Sequence, residues 1–211
     1  MKVIGFLLTL ILILSFTIKG QEIKIGTQTW TSKNLDVSTY RNGDPIPEVQ
    51  DKETWAILTT GAWCYYQNKT ANGTKYGKLY NFYAVKDPRG LAPKGYHIPS
   101  DAEWDILFDY LGGDTIAGAK TKSRSGWKDN GNGTNTSGFN ALPGGFRINV
   151  GTVEPYIYAV FAYVGANGYW WSSSEDNASN AWSRNLLSDY HNLDSDSSIG
   201  QNGYSVRCIK D

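Results

Sequence analysis

The sequence predicts an α+β domain. Two segments with helical apolar spacing come early, at residues 75–86 and 100–111. Short aromatic or β-branched runs, separated by turns rich in Gly or Asn, fill the C-terminal part. Helices first and antiparallel strands afterwards is the order of an α+β fold rather than of alternating βα units. No repeat, low-complexity tract or linker-like shift interrupts residues 21–211, so they read as one domain, long enough to bury a sizeable core.

The elements follow in order. Residues 22–30 alternate as a short strand, Ile23 and Ile25 then Thr27 and Thr29, with a turn near Gly26. Asn42-Gly43-Asp44-Pro45 is a turn. Residues 55–58 read as a short helical turn, and the aromatic run 62–66 as a strand. Leu79, Phe82, Tyr83 and Val85 have near-helical spacing and predict a first helix over 75–86. The second helix has a full start signal: Ser100 as the cap, Glu103 as the return half of a capping box. Trp104, Leu107, Phe108 and Leu111 then make one apolar face, and Gly112-Gly113 is the stop. Residues 123–140 are rich in Gly, Asn, Ser and Thr and predict a long surface loop. Strands are expected at 146–150, 156–164, 169–173, 181–187 and 204–209.

Met1-Lys2 precedes an apolar run, 3–18, broken only by Gly5, Thr9, Ser15 and Thr17. That run is short for a membrane span and reads as a secretory signal, residues 1–20, cut after Gly20. An uncleaved anchor is the rival, because Ile18-Lys19-Gly20 is a poor cleavage site; the length of the run favours cleavage. The run holds no Cys for a lipid. The expectation is a secreted or cell-surface protein with no membrane contact after cleavage. The formal net charge is zero, and loss of Lys2 and Lys19 leaves the mature chain slightly acidic. A nucleic-acid footprint is missing, and no Lys/Arg cluster suits anionic lipid. Cys64 and Cys208 are the only cysteines. An exported chain allows them to form a disulfide across a long loop; two buried thiols are the alternative.

Several ordered motifs resemble one family. GYHIPSDAEW resembles the G-[WY]-H-[VIL]-P-[ST]-D-A-E-W signature of the Fibrobacter succinogenes major paralogous domain family. More distantly it is similar to the R-L-P-T-E-A-E-W helix of the formylglycine-generating, sulfatase-modifying group. IGTQTWTSKNL, NGDPIP, WCYY, YGKLYNFYAV, GFNALPGGFR, GYWWSSSE, AWSRNL and GYSVRCIKD follow the family's order over nearly the whole mature chain. The resemblance implies a C-type-lectin-like fold: two helices flanking a small twisted, mainly antiparallel sheet, with long loops and neighbouring chain ends. Many members of that family carry Cys where this chain has Ala92, which would leave Cys208 without its usual partner.

No catalytic constellation is visible. The sulfatase-modifying group needs a close pair of cysteines for copper, and no second Cys lies near Cys208. His97 and His191 are the only histidines, His97 reads as structural, and no G-x-S-x-G, H-E-x-x-H or P-loop spacing occurs. Asp189, Asp194 and Asp196 offer hard oxygens but fit no EF-hand loop, and Glu154-Pro155-Tyr156 only echoes a sugar-binding lectin motif, so no metal or cofactor is assigned. The eight Trp and fourteen Tyr read first as core and second as sugar-stacking platforms, with one of Trp170 and Trp171 free to face outward. Trp63 and Tyr65 pose the same choice.

Scaffolds of this type carry ligand contacts on loops and on an exposed sheet face. The candidate loops are 174–180 and 187–202, with Glu175, Asn177, Asn180, Tyr190, His191, Asn192 and Asp194 as ligand-binding residues on one common face. Five N-x-[ST] sequons mark surface-like loops. The expected function is a secreted, non-catalytic binding or adhesion module for a glycan or a surface protein. An extracellular polysaccharide-acting enzyme, needing two carboxylates across a cleft, and a structural envelope protein are the alternatives.

Overall fold

The computed structural model describes residues 22–150 and 158–211. The expected leader and the Glu154-Pro155 echo lie outside the described residues. Strands β1 (Glu22–Ile25) and β2 (Gln28–Thr31) form a hairpin around Gly26, in the left-handed region at φ 61°. Helix α1 (Lys52–Ala56) follows, capped by Asp51, and then β3 (Trp63–Cys64). Next come α2 (Thr70–Tyr76), β4 (Leu79–Tyr80), α3 (Phe82–Val85) and β5 (Tyr96–His97).

The single helix expected over 75–86 is therefore three elements. Gly77 ends α2 at φ 77°, where a Cβ would meet the Leu35 carbonyl at 2.8 Å. Leu79 and Tyr80 then pair with β3, and the Asn81 side chain restarts a helix by accepting from the Ala84 amide at 3.0 Å. Leu79, Phe82 and Val85 are all buried, so the apolar spacing was real, but a strand and a helix share it.

Helix α4 (Asp101–Leu111) matches its expectation. Ser100 caps it, Glu103 completes the capping box, and Gly112 ends it in the left-handed conformation. Trp104, Leu107, Phe108 and Leu111 are buried. Helix α5 (Asp114–Thr121) was not expected. Its interior Gly118 is a poor helix former chosen by packing: a Cβ there would lie 1.8 Å from the His191 carbonyl. Residues 123–140 form no regular element, as expected.

Strands β6 (Phe146–Val150), β7 (Tyr158–Ala162), β8 (Asn167–Glu175), β9 (Asn180–Leu187), β10 (Leu193–Ile199) and β11 (Ile209–Lys210) complete the chain. β10 corrects the loop expected over 187–202. Its Asp/Ser-rich sequence hid it, but polar side chains are ordinary on an edge strand, and it pairs with β9 from Leu193–Leu186 to Ile199–Asn180. The fold is mixed α and β with several small antiparallel sheets: β1-β2-β11-β5, β10-β9-β8, β3-β4 and β6-β7. Ile209 pairs with Trp30, so the last strand adds to the first hairpin.

The β8–β10 sheet is covered on both sides. Trp170 packs with Trp30, Trp104, Phe108 and Phe139, whereas Trp171 packs with Phe82 and Tyr204. Both are buried, so neither is the outward platform the sequence allowed. The expected disulfide is also corrected. Cys64 and Cys208 are free thiols in different core clusters, Cys64 with Trp55 and Leu79, Cys208 with Tyr96 and Leu91. Ala92 shares the Cys208 cluster. Burial pushes both thiols up to about 12, which leaves them unreactive.

Candidate functional site

The seven expected binding residues do not form one surface. β9 runs antiparallel to both neighbours, so the turn before it and the turn after it lie at opposite ends of the sheet. Its eight residues separate those ends by about 24 Å. At one end Glu175 is paired with Lys86 at 2.8 Å, Asn177 holds the amides of Ser179 and Asn180, and Asn180 donates to Ser197 at 3.1 Å. Their polar groups are used in building the turn. Tyr190, His191 and Asn192 lie at the other end, with Asp194 two residues further into β10.

That second end is anchored from below. The buried Lys122 ammonium donates to the carbonyls of Leu187 and Tyr190 and lies 4.9 Å from the Trp127 ring centre. Burial lowers it to about 8, partly offset by Asp189. The Ser188 amide donates to the Ala166 carbonyl at 2.7 Å. The turn of residues 188–192 is thus tied to α5 and to the β7–β8 connection, which leaves Tyr190 57% exposed on a fixed base.

The sheet beside this turn carries residues that the sequence reading missed. Tyr169, Asn185 and Asp194 are direct cross-strand neighbours, and Trp171, Ser183 and Asp196 form the next row. Side chains alternate along a strand, so Tyr169, Asn185, Asp194 and Asp196 share one face. Asn185 donates to Asp196 at 2.6 Å. The Tyr169 ring is held by Tyr204, stacked at 4.8 Å, and by the Phe146 edge at 4.7 Å. Tyr163 stacks on Phe146 at 5.7 Å, yet stays 62% exposed. Its backbone sits at φ 60°, a costly conformation for a bulky residue, fixed by Ala166 and Asn167 amides that both donate to its carbonyl.

Tyr169 and the two carboxylates of β10 feel one another electrostatically. Burial raises the Asp194 carboxyl, and Asp196 and then Asp114 raise it further. Burial also pushes the Tyr169 hydroxyl up to about 12, with Asp196 the next cause. Through Phe146 the exposed Tyr163 ring adjoins the half-buried Tyr169, whose sheet face also carries the two carboxylates. Rings of this kind stack on apolar faces, while carboxylates accept from hydroxyls. Among the described residues no group of three or more His, Cys, Asp or Glu could hold a metal ion. At the other aromatic surface considered, Trp63 is buried and Tyr65 is half-buried, and the Lys78 ammonium lies over both rings, at 4.3 Å and 4.9 Å. Period-two alternation in Leu193-Asp194-Ser195-Asp196 was the one available signal for the acidic row.

The chain belongs to the Fibrobacter succinogenes major domain family, whose model matches residues 23–210. Searches of curated proteins and of solved structures found no match. Among the described residues no helix is long and apolar enough to cross a membrane.

Proposed function

We propose that this chain is a secreted, non-catalytic binding or adhesion module that takes a glycan at the Tyr163–Asp194 end of the β8–β10 sheet. The observation that carries the reading is Tyr163. A large aromatic in a strained backbone conformation, exposed to solvent and braced from behind by Phe146, is what a stacking platform requires. Asp194 and Asp196 supply hydrogen-bond acceptors on the sheet face that Tyr169 shares. They project from one strand on one face, so they do not face each other across a cleft as glycoside hydrolysis needs. The scaffold is read as C-type-lectin-like. Support comes from the first and last strands sharing one sheet, from α4 packed on the β8–β10 sheet and from the long irregular segment 123–140.

The test is a glycan array with the chain from Gln21 and with Tyr163→Ala. Capture of a defined glycan, reduced at least about tenfold in the variant, supports the reading. Equal capture by both proteins removes the site. A protein recovered by pull-down through the same residue, with a blank array, shifts the ligand to a surface protein. Turnover of the captured glycan would make the chain an enzyme.

A further inference from the structure

A cavity of about 520 Å³ lies away from the Tyr163 patch, lined by residues 31–37, 73–77, Pro93, Asn140, Leu142 and Arg207. Arg207 is 1% exposed. Its Nε donates to Asn34 Oδ1 at 2.8 Å, Nη1 to the Thr31 carbonyl at 2.7 Å and Nη2 to the Asn140 carbonyl at 3.3 Å. The guanidinium lies 4.4 Å from the Phe139 ring centre. All three acceptors are neutral. One N–H on each terminal nitrogen is left over.

Lys33 and Lys75 stand exposed on the same cavity. Among the described residues, none of these three cations has a carboxylate at ion-pair distance. Asp36, the one carboxylate among the lining residues, is taken by Lys78 at 2.7 Å. Buried charges are normally matched. Arg184 is the matched case, held by Asp101 and Asp105. Arg147 is bonded to three carbonyls, but it is sealed beneath Trp55 and Phe161 and lines no part of this cavity. Arg207 differs because open space adjoins it. Burial pushes its guanidinium down to about 9, a cost that a carboxylate brought beside it would relieve.

We propose that this cavity binds a hydroxylated carboxylic acid of the size of one acidic sugar residue, with its carboxylate at Arg207 and within reach of Lys33 and Lys75. The volume falls in the range of small-molecule sites, about 300–1,000 Å³. Hydroxyl and amide groups of Thr31, Ser32 and Asn140 suit ring hydroxyls, and Leu142 and Tyr76 supply apolar wall. The site shares no residue with the Tyr163 patch, so either can fail alone.

The experiment is calorimetric titration of the mature chain with sodium glucuronate, with glucose as the uncharged comparison and sodium sulfate as a bare oxyanion. In parallel, NMR follows the Trp170 indole, whose N–H donates to the same Asn34 oxygen that holds Arg207. Glucuronate is expected to bind with a Kd in the millimolar range or tighter, to move the Trp170 signal and to weaken as salt rises. Glucose should give no heat. The double variant Lys33→Gln/Lys75→Gln, on the surface and outside the core, should bind about tenfold more weakly at an unchanged melting temperature. Equal binding of glucose and glucuronate overturns the proposal. So does sulfate as tight as glucuronate, heat without movement of the Trp170 signal, or full affinity in the double variant.

Discussion

The two faces of the β8–β10 sheet, built from the same strands, treat polar groups in opposite ways. On the face toward α4, Trp170, Arg184 and Leu186 meet Trp104, Leu107 and Phe108. Arg184 is fully buried, and Asp101, Asp105 and Ser195 pair its two terminal nitrogens, so its charge is matched within the fold. On the other face Tyr169 and Asp194 are half-buried and Asp196 is exposed, and burial with the neighbouring Asp196 disfavours the Asp194 charge. The first face uses its interactions for stability. The second is core at Trp171 and Ser183 but leaves two carboxylates half-buried or exposed on β10.

Substitutions can break that contrast, beginning with the largest effect. Trp104→Ala on the packed face should cost about 3–5 kcal/mol, read as a lowered midpoint in denaturant. A loss under about 1 kcal/mol would mean the α4 face is not core. Ser100→Ala removes the side-chain cap and one half of the capping box, and should cost about 1 kcal/mol by the same measurement. Substitution at the exposed Tyr163 should run the other way. Tyr163→Asn places a residue that tolerates φ 60° there, so melting should hold or rise while glycan capture falls. A clear drop in melting temperature would mark Tyr163 as a packing residue instead.

Asp194→Asn sharpens the same point. A carboxyl raised in the folded state stabilises the fold below its unfolded value, and that contribution is lost as pH rises through the folded value. At neutral pH the amide should therefore melt slightly higher than wild type, and a lower melting temperature would contradict the like-charge picture. The smallest effect belongs to His97, which bridges Asp211 and Glu103, each at 2.8 Å. Burial lowers it, but hydrogen bonds to Asp211 and Glu103 outweigh that, and it ends raised. Its contribution is full below about pH 6.5 and fades as pH climbs through the raised value. His97→Gln should flatten that part of the melting profile, and an unchanged slope would remove His97 as its source.

The sequence by itself determined what local chemistry specifies. The capping box at Ser100 and Glu103 closes within one turn, and the apolar face of α4 is contained in eleven residues, so both were legible. The alternating strands β6 and β9 were legible for the same reason. Three things were decided only in the folded chain. The spacing of Leu79, Phe82 and Val85 fits a helix equally well, and only pairing with β3 and the Leu35 carbonyl against Gly77 made a strand of its first part. Helix α5 was not foreseen, and the reason for its interior Gly118, the His191 carbonyl, lies far along the chain. Last, β10 is polar because it is an edge, and its register against β9 sends the two expected loops to opposite ends while setting Asp194 beside Asn185 and Tyr169. Cross-strand register depends on pairing between distant segments, and one chain read in order carries no direct signal of it.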